Sequence, residues 1–294
     1  MKSRLGAMPT QLALFDLPPV ETRYQHLFRL RYPLWTEHKA KMIATYLRLF
    51  VYVTRHGAYI DGFAGPQQPG MLDLWTAKLV LDSQPRPPKR RLNQFFLCEL
   101  SRTKWPALDG LVQEHHDTKH HPIALYKGDF NTAVHEILGS GSIKEKTAAF
   151  CLLDQHTFEC HWSTVQALAR AKTTGMKIEL FYFVPTGWLK RSIAAVKDKE
   201  TVVGAWWGRP DWQQLKRISE QNCANKFCER FQTELGYKFA HAWPIYEKRD
   251  GIKVMYFMVH ATDHEEAPKL MGRAYRGATG QVNEHQLTLD LPGN

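Results

Sequence analysis

Four short apolar runs in this 294-residue chain each stop at or just before an acidic residue, and sequence with helical character separates each run from the next. The first spans 58–61 and ends in Asp61, and the second spans 93–99 and ends in Glu99. The third leads through Tyr126 to Asp129, and the fourth spans 147–153 and runs into Asp154. A fifth run, 178–184, stops at Pro185. Strand and helix alternating at this cadence predict a parallel sheet with helices on both faces. Ligands in such sheets bind at the carboxyl ends of the strands, so Asp61, Glu99, Asp129 and Asp154 are expected along one edge.

The first of these ends is the most suggestive. Tyr59-Ile60-Asp61-Gly62-Phe63-Ala64-Gly65-Pro66 reads as a buried strand breaking into a small-residue turn. Glycines let a backbone loop approach a ligand, and the strand-end carboxylate accepts hydrogen bonds from a ribose or an amino group. Glu99 fits a second strand whose acid binds ribose hydroxyls. Asp129 beside Phe130 is expected to receive a purine amino group and stack on its ring. No Gly-x4-Gly-Lys-Ser/Thr phosphate loop is present, which argues against a nucleotide hydrolase.

Before the first strand, Met42, Ile43, Tyr46, Leu47, Phe50 and Val53 recur at helical spacing behind a Thr36 cap, giving one apolar face. Lys39, Lys41, Arg48 and Arg55 lie off that face and read as solvated. After Pro185, residues 186–240 interrupt the alternation with helical sequence rich in tryptophan and basic residues. There Lys190, Arg191, Trp206, Trp207 and Arg209 suit base stacking and phosphate contact, while buried tryptophans under a basic face explain the same letters. Asp250-Gly251 between two apolar runs signals a hairpin that closes the sheet. The expected fold is α/β, a doubly wound, mostly parallel sheet closed by an antiparallel hairpin, as in class I methyltransferases. The expected divisions are an N-terminal tail (1–20), a helical segment (21–57), a Rossmann-like cofactor domain (58–185), the tryptophan-rich insertion (186–240), the closing hairpin and last helix (241–276) and a C-terminal tail (277–294).

Composition narrows the class. A formal net charge of +10 favours polyanionic partners, nucleic acid first among them. Five cysteines at irregular spacing favour reduced thiols, and no Cys/His pair matches Cys223 and Cys228 as metal ligands, so no metal is expected. Neither a long apolar run nor a leader-like N-terminus is present, and a cytoplasmic location is expected. Near the N-terminus Gln11-Leu12-Ala13-Leu14-Phe15 resembles the peptide by which bacterial polymerases, DNA repair enzymes and mismatch proteins dock on the replication sliding clamp. Gln286-Leu287-Thr288-Leu289-Asp290-Leu291 resembles its six-residue version. The anchoring residues are then Gln11, Leu12, Leu14 and Phe15, with Gln286, Leu287 and Leu289 at the other end.

Taken in order, YIDGFAGP, the Leu152-Leu153-Asp154 end with its Trp-Ser-Thr helix start, ELFYFVPTG and YFMVHAT resemble the three-Cys-motif partner protein family across about 32–275. That resemblance implies a Rossmann-fold methyltransferase-like protein with S-adenosylmethionine at Asp61, Gly62, Phe63, Ala64, Gly65, Glu99, Asp129 and Phe130. It places Asp154 near the transferred methyl and implies a three-cysteine radical-SAM-like partner, while general acid–base chemistry makes His156 or His161 the residue expected to take a proton, against a plain surface or core role for both. The chain departs from the family twice. Gln67 follows Pro66 where the family has glycine, and Asp154-Gln155-His156-Thr157 replaces an acid followed by proline, an aromatic and glycine. A side chain at 67 is expected to crowd the cofactor loop. The alternative expectation is a catalytically silent accessory module that keeps the scaffold, binds nucleic acid and supports the three-cysteine protein.

Overall fold

A computed structural model describes residues 34–67, 72–85, 90–117, 122–247 and 253–280. Both clamp-like peptides and the Asp250-Gly251 turn lie outside the described residues. The chain is built on a seven-stranded sheet: β1 (His56–Asp61), β2 (Arg91–Cys98), β3 (Ile123–Tyr126), β4 (Ala149–Leu153), β5 (Glu179–Val184), β6 (Phe239–Tyr246) and β7 (Val254–Thr262). The spatial order is β3-β2-β1-β4-β5-β7-β6. The first five strands are mutually parallel, and β7 is antiparallel to both β5 and β6. This is the strand order of the class I methyltransferase fold, as the alternation of runs and the closing hairpin foretold. Every residue of β4 and of β5 is buried, because helices cover both faces and leave no reason for polar alternation.

One face of the sheet is an aromatic layer formed by Tyr59, Phe95, Phe150 and Phe181, with His260 beside them. The long helix α1 (Leu34–Thr54) crosses it antiparallel to the strands. Its first turns lie over the carboxyl edge, where the Trp35 carbonyl accepts from the Tyr256 hydroxyl at 3.1 Å. Its middle lies at the opposite edge, where the Tyr46 hydroxyl donates to Glu179, the first residue of β5. His260 Nε2 lies 3.0 Å from the same carboxylate, and all three side chains are buried. The expected apolar face of α1 holds from Met42 to Phe50, but Val53 is 41% exposed in the last turn. Lys39, read as solvated, is 3% exposed.

The other face carries α4 (Phe130–Gly139) and α5 (Trp162–Arg170), with α7 (Lys199–Trp207) and α8 (Glu220–Thr233) from the insertion extending the same core. The helices α2 (Thr76–Asp82), α3 (Trp105–His115), α6 (Leu189–Ala195) and α9 (Ala267–Thr279) complete the set among the described residues, α2 and α9 packing on α1. Arg230 of α8 lies between the Trp162 and Trp207 rings, 3.8 and 4.2 Å from their centroids. It donates to the Trp207 carbonyl and to both oxygens of Glu234. Trp206 and Trp207 are fully inside the core, which answers the question that the sequence posed about them. The core of the insertion is therefore continuous with that of the sheet.

Candidate functional site

The order of the parallel strands reverses between β1 and β4, the point where open α/β sheets form a crevice at their carboxyl ends. Register places three acids around it. Asp61 pairs with Leu97 on β2 and with Leu152 on β4. Glu99 and Asp154 each stand two residues further on, so period-two alternation directs all three to one side.

Asp61 is 2% exposed and held by its own strand and the turn after it: Tyr59 Oη donates to Oδ2 at 2.8 Å and the Phe63 amide to Oδ1 at 3.1 Å. Burial pushes its carboxyl up to about 7 despite those two donors, and Asp154 and Glu99 add repulsion. The loop that follows is fixed from both sides. Ala64 donates to the Cys98 carbonyl at 2.8 Å, and Trp75 Nε1 donates to the Ala64 carbonyl at 2.5 Å. Gly65 donates to Glu99 Oε2 at 2.9 Å, while Ser101 donates to Oε1 at 2.8 Å and Lys104 Nζ lies 3.6 Å from Oε2. A Cβ at Gly65 would stand 2.3 Å from Glu99 Oε2, so only glycine lets that acid close over the loop.

Asp129 is exposed and caps α4, its Oδ1 accepting from the Asn131 amide and side chain at 2.9 Å each. Phe130 corrects the sequence reading. It is 2% exposed, with its ring pressed against Gly62 and 6.0 Å from the Phe63 ring, so it has no face for an adenine. The apolar side chain that is exposed beside Glu99 is Leu100, at 62%.

Asp154 sits in a cluster that the sequence did not disclose. Lys39 Nζ of α1 lies 2.5 Å from Asp154 Oδ2, their side chains being 4% and 8% exposed. Gln67 Nε2 donates to the same oxygen at 3.1 Å. Gln67 therefore bridges the glycine loop to Asp154. Lys39 Nζ also lies 5.9 Å from the centre of the Tyr256 ring, which packs with Phe183 and Trp188 at 4.7 and 6.1 Å between centroids. The loop after Asp154 is likewise held. Buried Gln155 donates to the Phe183 carbonyl at 3.2 Å and accepts from the Cys160 amide at 2.9 Å, tying the loop after Asp154 to the end of β5. Asn131 secures the far side, accepting from the His161 amide at 2.9 Å and the Thr164 hydroxyl at 2.7 Å.

The histidines stand apart from this arrangement. His156 is exposed and hydrogen-bonds to no described residue, and His161 occupies the N-cap of α5 without a side-chain cap bond. Lys190 and Arg191 are exposed on α6, directly after Trp188. Arg209 is 2.7 Å from Glu234. Trp206 and Trp207, with no exposed face, cannot stack on a base. Among the described residues no helix is long and apolar enough to cross a membrane.

No protein-family model and no curated protein matches this chain. Similar solved structures include M. jannaschii TYW2 in complex with AdoMet, at 10% identity and a TM-score of 0.42, covering 80% of this chain and 78% of that one. They include the O-methyltransferase TomG from Streptomyces achromogenes in complex with SAM, at 11% identity and a TM-score of 0.38, covering 83% and 94%. A third is a spermidine synthase in complex with the transition-state analogue AdoDATO, at 16% identity and a TM-score of 0.40, covering 86% and 71%. Likeness at this level carries no argument by itself. The fold rests on the strand order and on the acids that this order gathers at the reversal point.

Proposed function

We propose that the chain is an S-adenosylmethionine-dependent methyltransferase acting on nucleic acid, DNA in the first instance. The observation that carries this reading is the convergence of Asp61, the Gly62–Gly65 loop, Glu99 and Asp154 at the topological switch point. The donor set fits the cofactor. Glu99 is positioned to accept ribose hydroxyls, Asp61 to accept the ammonium of the amino-acid end, Leu100 to cover the adenine and Asp129 to accept its amino group. When bound, S-adenosylmethionine supplies a methyl group already activated on sulfonium sulfur. The protein's part is alignment and charge. Asp154 Oδ1 has no partner among the described residues, and it is the oxygen left to orient an N–H or O–H of the acceptor. The net charge of +10 and the exposed Lys190 and Arg191 support a polyanionic substrate.

Calorimetric titration with S-adenosylmethionine tests the cofactor half: wild type binds, and Asp61→Ala removes binding. Transfer of labelled methyl to DNA or RNA by wild type but not by folded Asp154→Ala tests the chemistry. Absence of cofactor binding to wild type sinks the reading.

The tie of Lys39 and Gln67 to Asp154 favours a second reading, a silent accessory module in which that acid serves the fold. In that reading the resemblance to the three-Cys-motif partner family points to a radical-SAM-like three-cysteine protein as the active subunit. The terminal peptides point to the sliding clamp. Deleting 11–15 and 286–291 then abolishes co-elution with the clamp and leaves the melting temperature unchanged, whereas co-elution that survives both deletions removes the clamp from consideration.

A further inference from the structure

Lys39 has more hydrogen-bonding capacity than its own chain uses. An ammonium carries three N–H donors, and among the described residues only Asp154 accepts from this one. The Tyr256 ring offers a π face at 5.9 Å and no lone pair. With 3% of the residue exposed, bulk water is a poor substitute, and donors left bare in such a place are unfavourable. Next to it Asp154 Oδ1 is an acceptor that is equally without a partner. An ammonium with donors to spare and a carboxylate oxygen that no described residue engages therefore stand side by side at the switch point, near the Tyr256 ring and the Phe183 and Trp188 rings packed on it.

We propose that Lys39 and Asp154 together read the edge of a nucleobase, Asp154 Oδ1 accepting a base N–H while Lys39 Nζ donates to the neighbouring ring nitrogen or carbonyl. This rests on the methyl-transfer reading of the same edge and adds the substrate class to it. The pair matches any base presenting a donor next to an acceptor: the lactam edge of guanine or uracil, or the amidine edge of adenine or cytosine. A charged pair suits an edge whose two polar atoms are adjacent and of opposite character, and of the nearby rings Trp188 is half-buried and able to meet a flat ring, with Tyr256 and Phe183 packed behind it. A duplex base has to leave its stack to reach this position. Lys39 is thus a base-contacting residue, and Gln67 keeps Asp154 Oδ2 occupied so that Oδ1 is the oxygen presented.

The test is a calorimetric titration of full-length protein saturated with S-adenosylhomocysteine, which keeps adenosine out of the cofactor site. Guanosine and uridine form one arm, adenosine and cytidine the other. In one arm wild type binds, and Lys39→Met weakens binding about tenfold or more, the scale of one lost hydrogen bond to a charged group. The N-methylated nucleosides that lack the edge N–H bind at least about tenfold more weakly to the unaltered protein, which keeps the test decisive if Lys39→Met does not fold. Nucleosides that bind equally with and without that N–H, or not at all, overturn the proposal. Failure of S-adenosylhomocysteine to bind overturns the cofactor reading alone. The pyrimidine nucleosides are then titrated into the protein by itself, and their dependence on the N–H decides the proposal separately.

Discussion

Lys39 and Asp154, 115 positions apart in sequence, form an ion pair of 2.5 Å between side chains that are 4% and 8% exposed. Removing one partner of such a pair strands the other charge in a poorly solvated place. Lys39→Met is expected to lower unfolding stability by about 3–5 kcal/mol, and Lys39→Met with Asp154→Leu by much less, since no bare charge remains. Urea denaturation of the two variants checks this, and equal losses would show that packing outweighs charge.

Gln67 makes the opposite kind of contact. Its amide is exposed and its bond to Asp154 competes with water, so Gln67→Ala should change stability by less than about 1 kcal/mol. A thermal melt within a few degrees of wild type is the expected result. A large drop would mean that the glycine loop depends on this bond for its conformation.

Gly62 and Gly65 are expected to respond differently to alanine. At Gly62 a methyl meets the buried Phe130 ring at 2.7 Å and the fold suffers by about 1–3 kcal/mol. At Gly65 the nearest atoms are the carboxylate of Glu99 and the stem of Lys104, which can swing aside. Gly65→Ala should therefore melt near wild type and lose affinity for S-adenosylmethionine, because the displaced carboxylate is the one assigned to the ribose. Calorimetry and a melt on the same sample separate the two outcomes.

Asp61 sets a pH dependence. Its folded-state carboxyl, pushed up to about 7 by burial, lies above its ordinary value of 3.8, so the folded chain holds a proton that the unfolded chain has released. Stability from this group is greatest below pH ~4, falls as pH rises toward about 7 and levels off beyond. Asp61→Asn should flatten that slope. A ligand ammonium at Asp61 favours the ionised form, so S-adenosylmethionine binding near pH 6 should release a proton and tighten as pH rises to about 7. Titrations in buffers of different ionisation enthalpy measure that proton, and no buffer dependence would remove Asp61 from the ammonium site.

At the other edge of the sheet buried Glu179 accepts from Tyr46 and contacts His260. Tyr46→Phe removes one donor from a buried carboxylate, and a loss of about 1–3 kcal/mol is expected in denaturation. A neutral effect would show that His260 alone satisfies Glu179.

The strand ends were legible because each parallel strand is a self-contained run of buried letters closed by an acid, and the sheet order follows from their alternation. What surrounds Asp154 was not. Lys39 reads as an ordinary surface lysine on a helix, since periodicity reports position on the helix and says nothing of a carboxylate 115 residues away. Gln67 looked like an intrusion because only the fold reveals Asp154 within its reach. Phe130 and the Trp206-Trp207 pair misled for one shared reason: an aromatic next to an acid or a cation has the same letters whether it faces a ligand or the core. Asn131, which joins α4 to α5, carries no motif at all.

The course of α1 sets a practical boundary. Because it runs from Asp154 at one edge of the sheet to Glu179 at the other, a fragment cut at His56 to isolate the strands would lose the cation of the first acid and the phenol of the second. A fragment that keeps both contacts and the bond to Tyr256 has to include Trp35, whose carbonyl accepts from the Tyr256 hydroxyl.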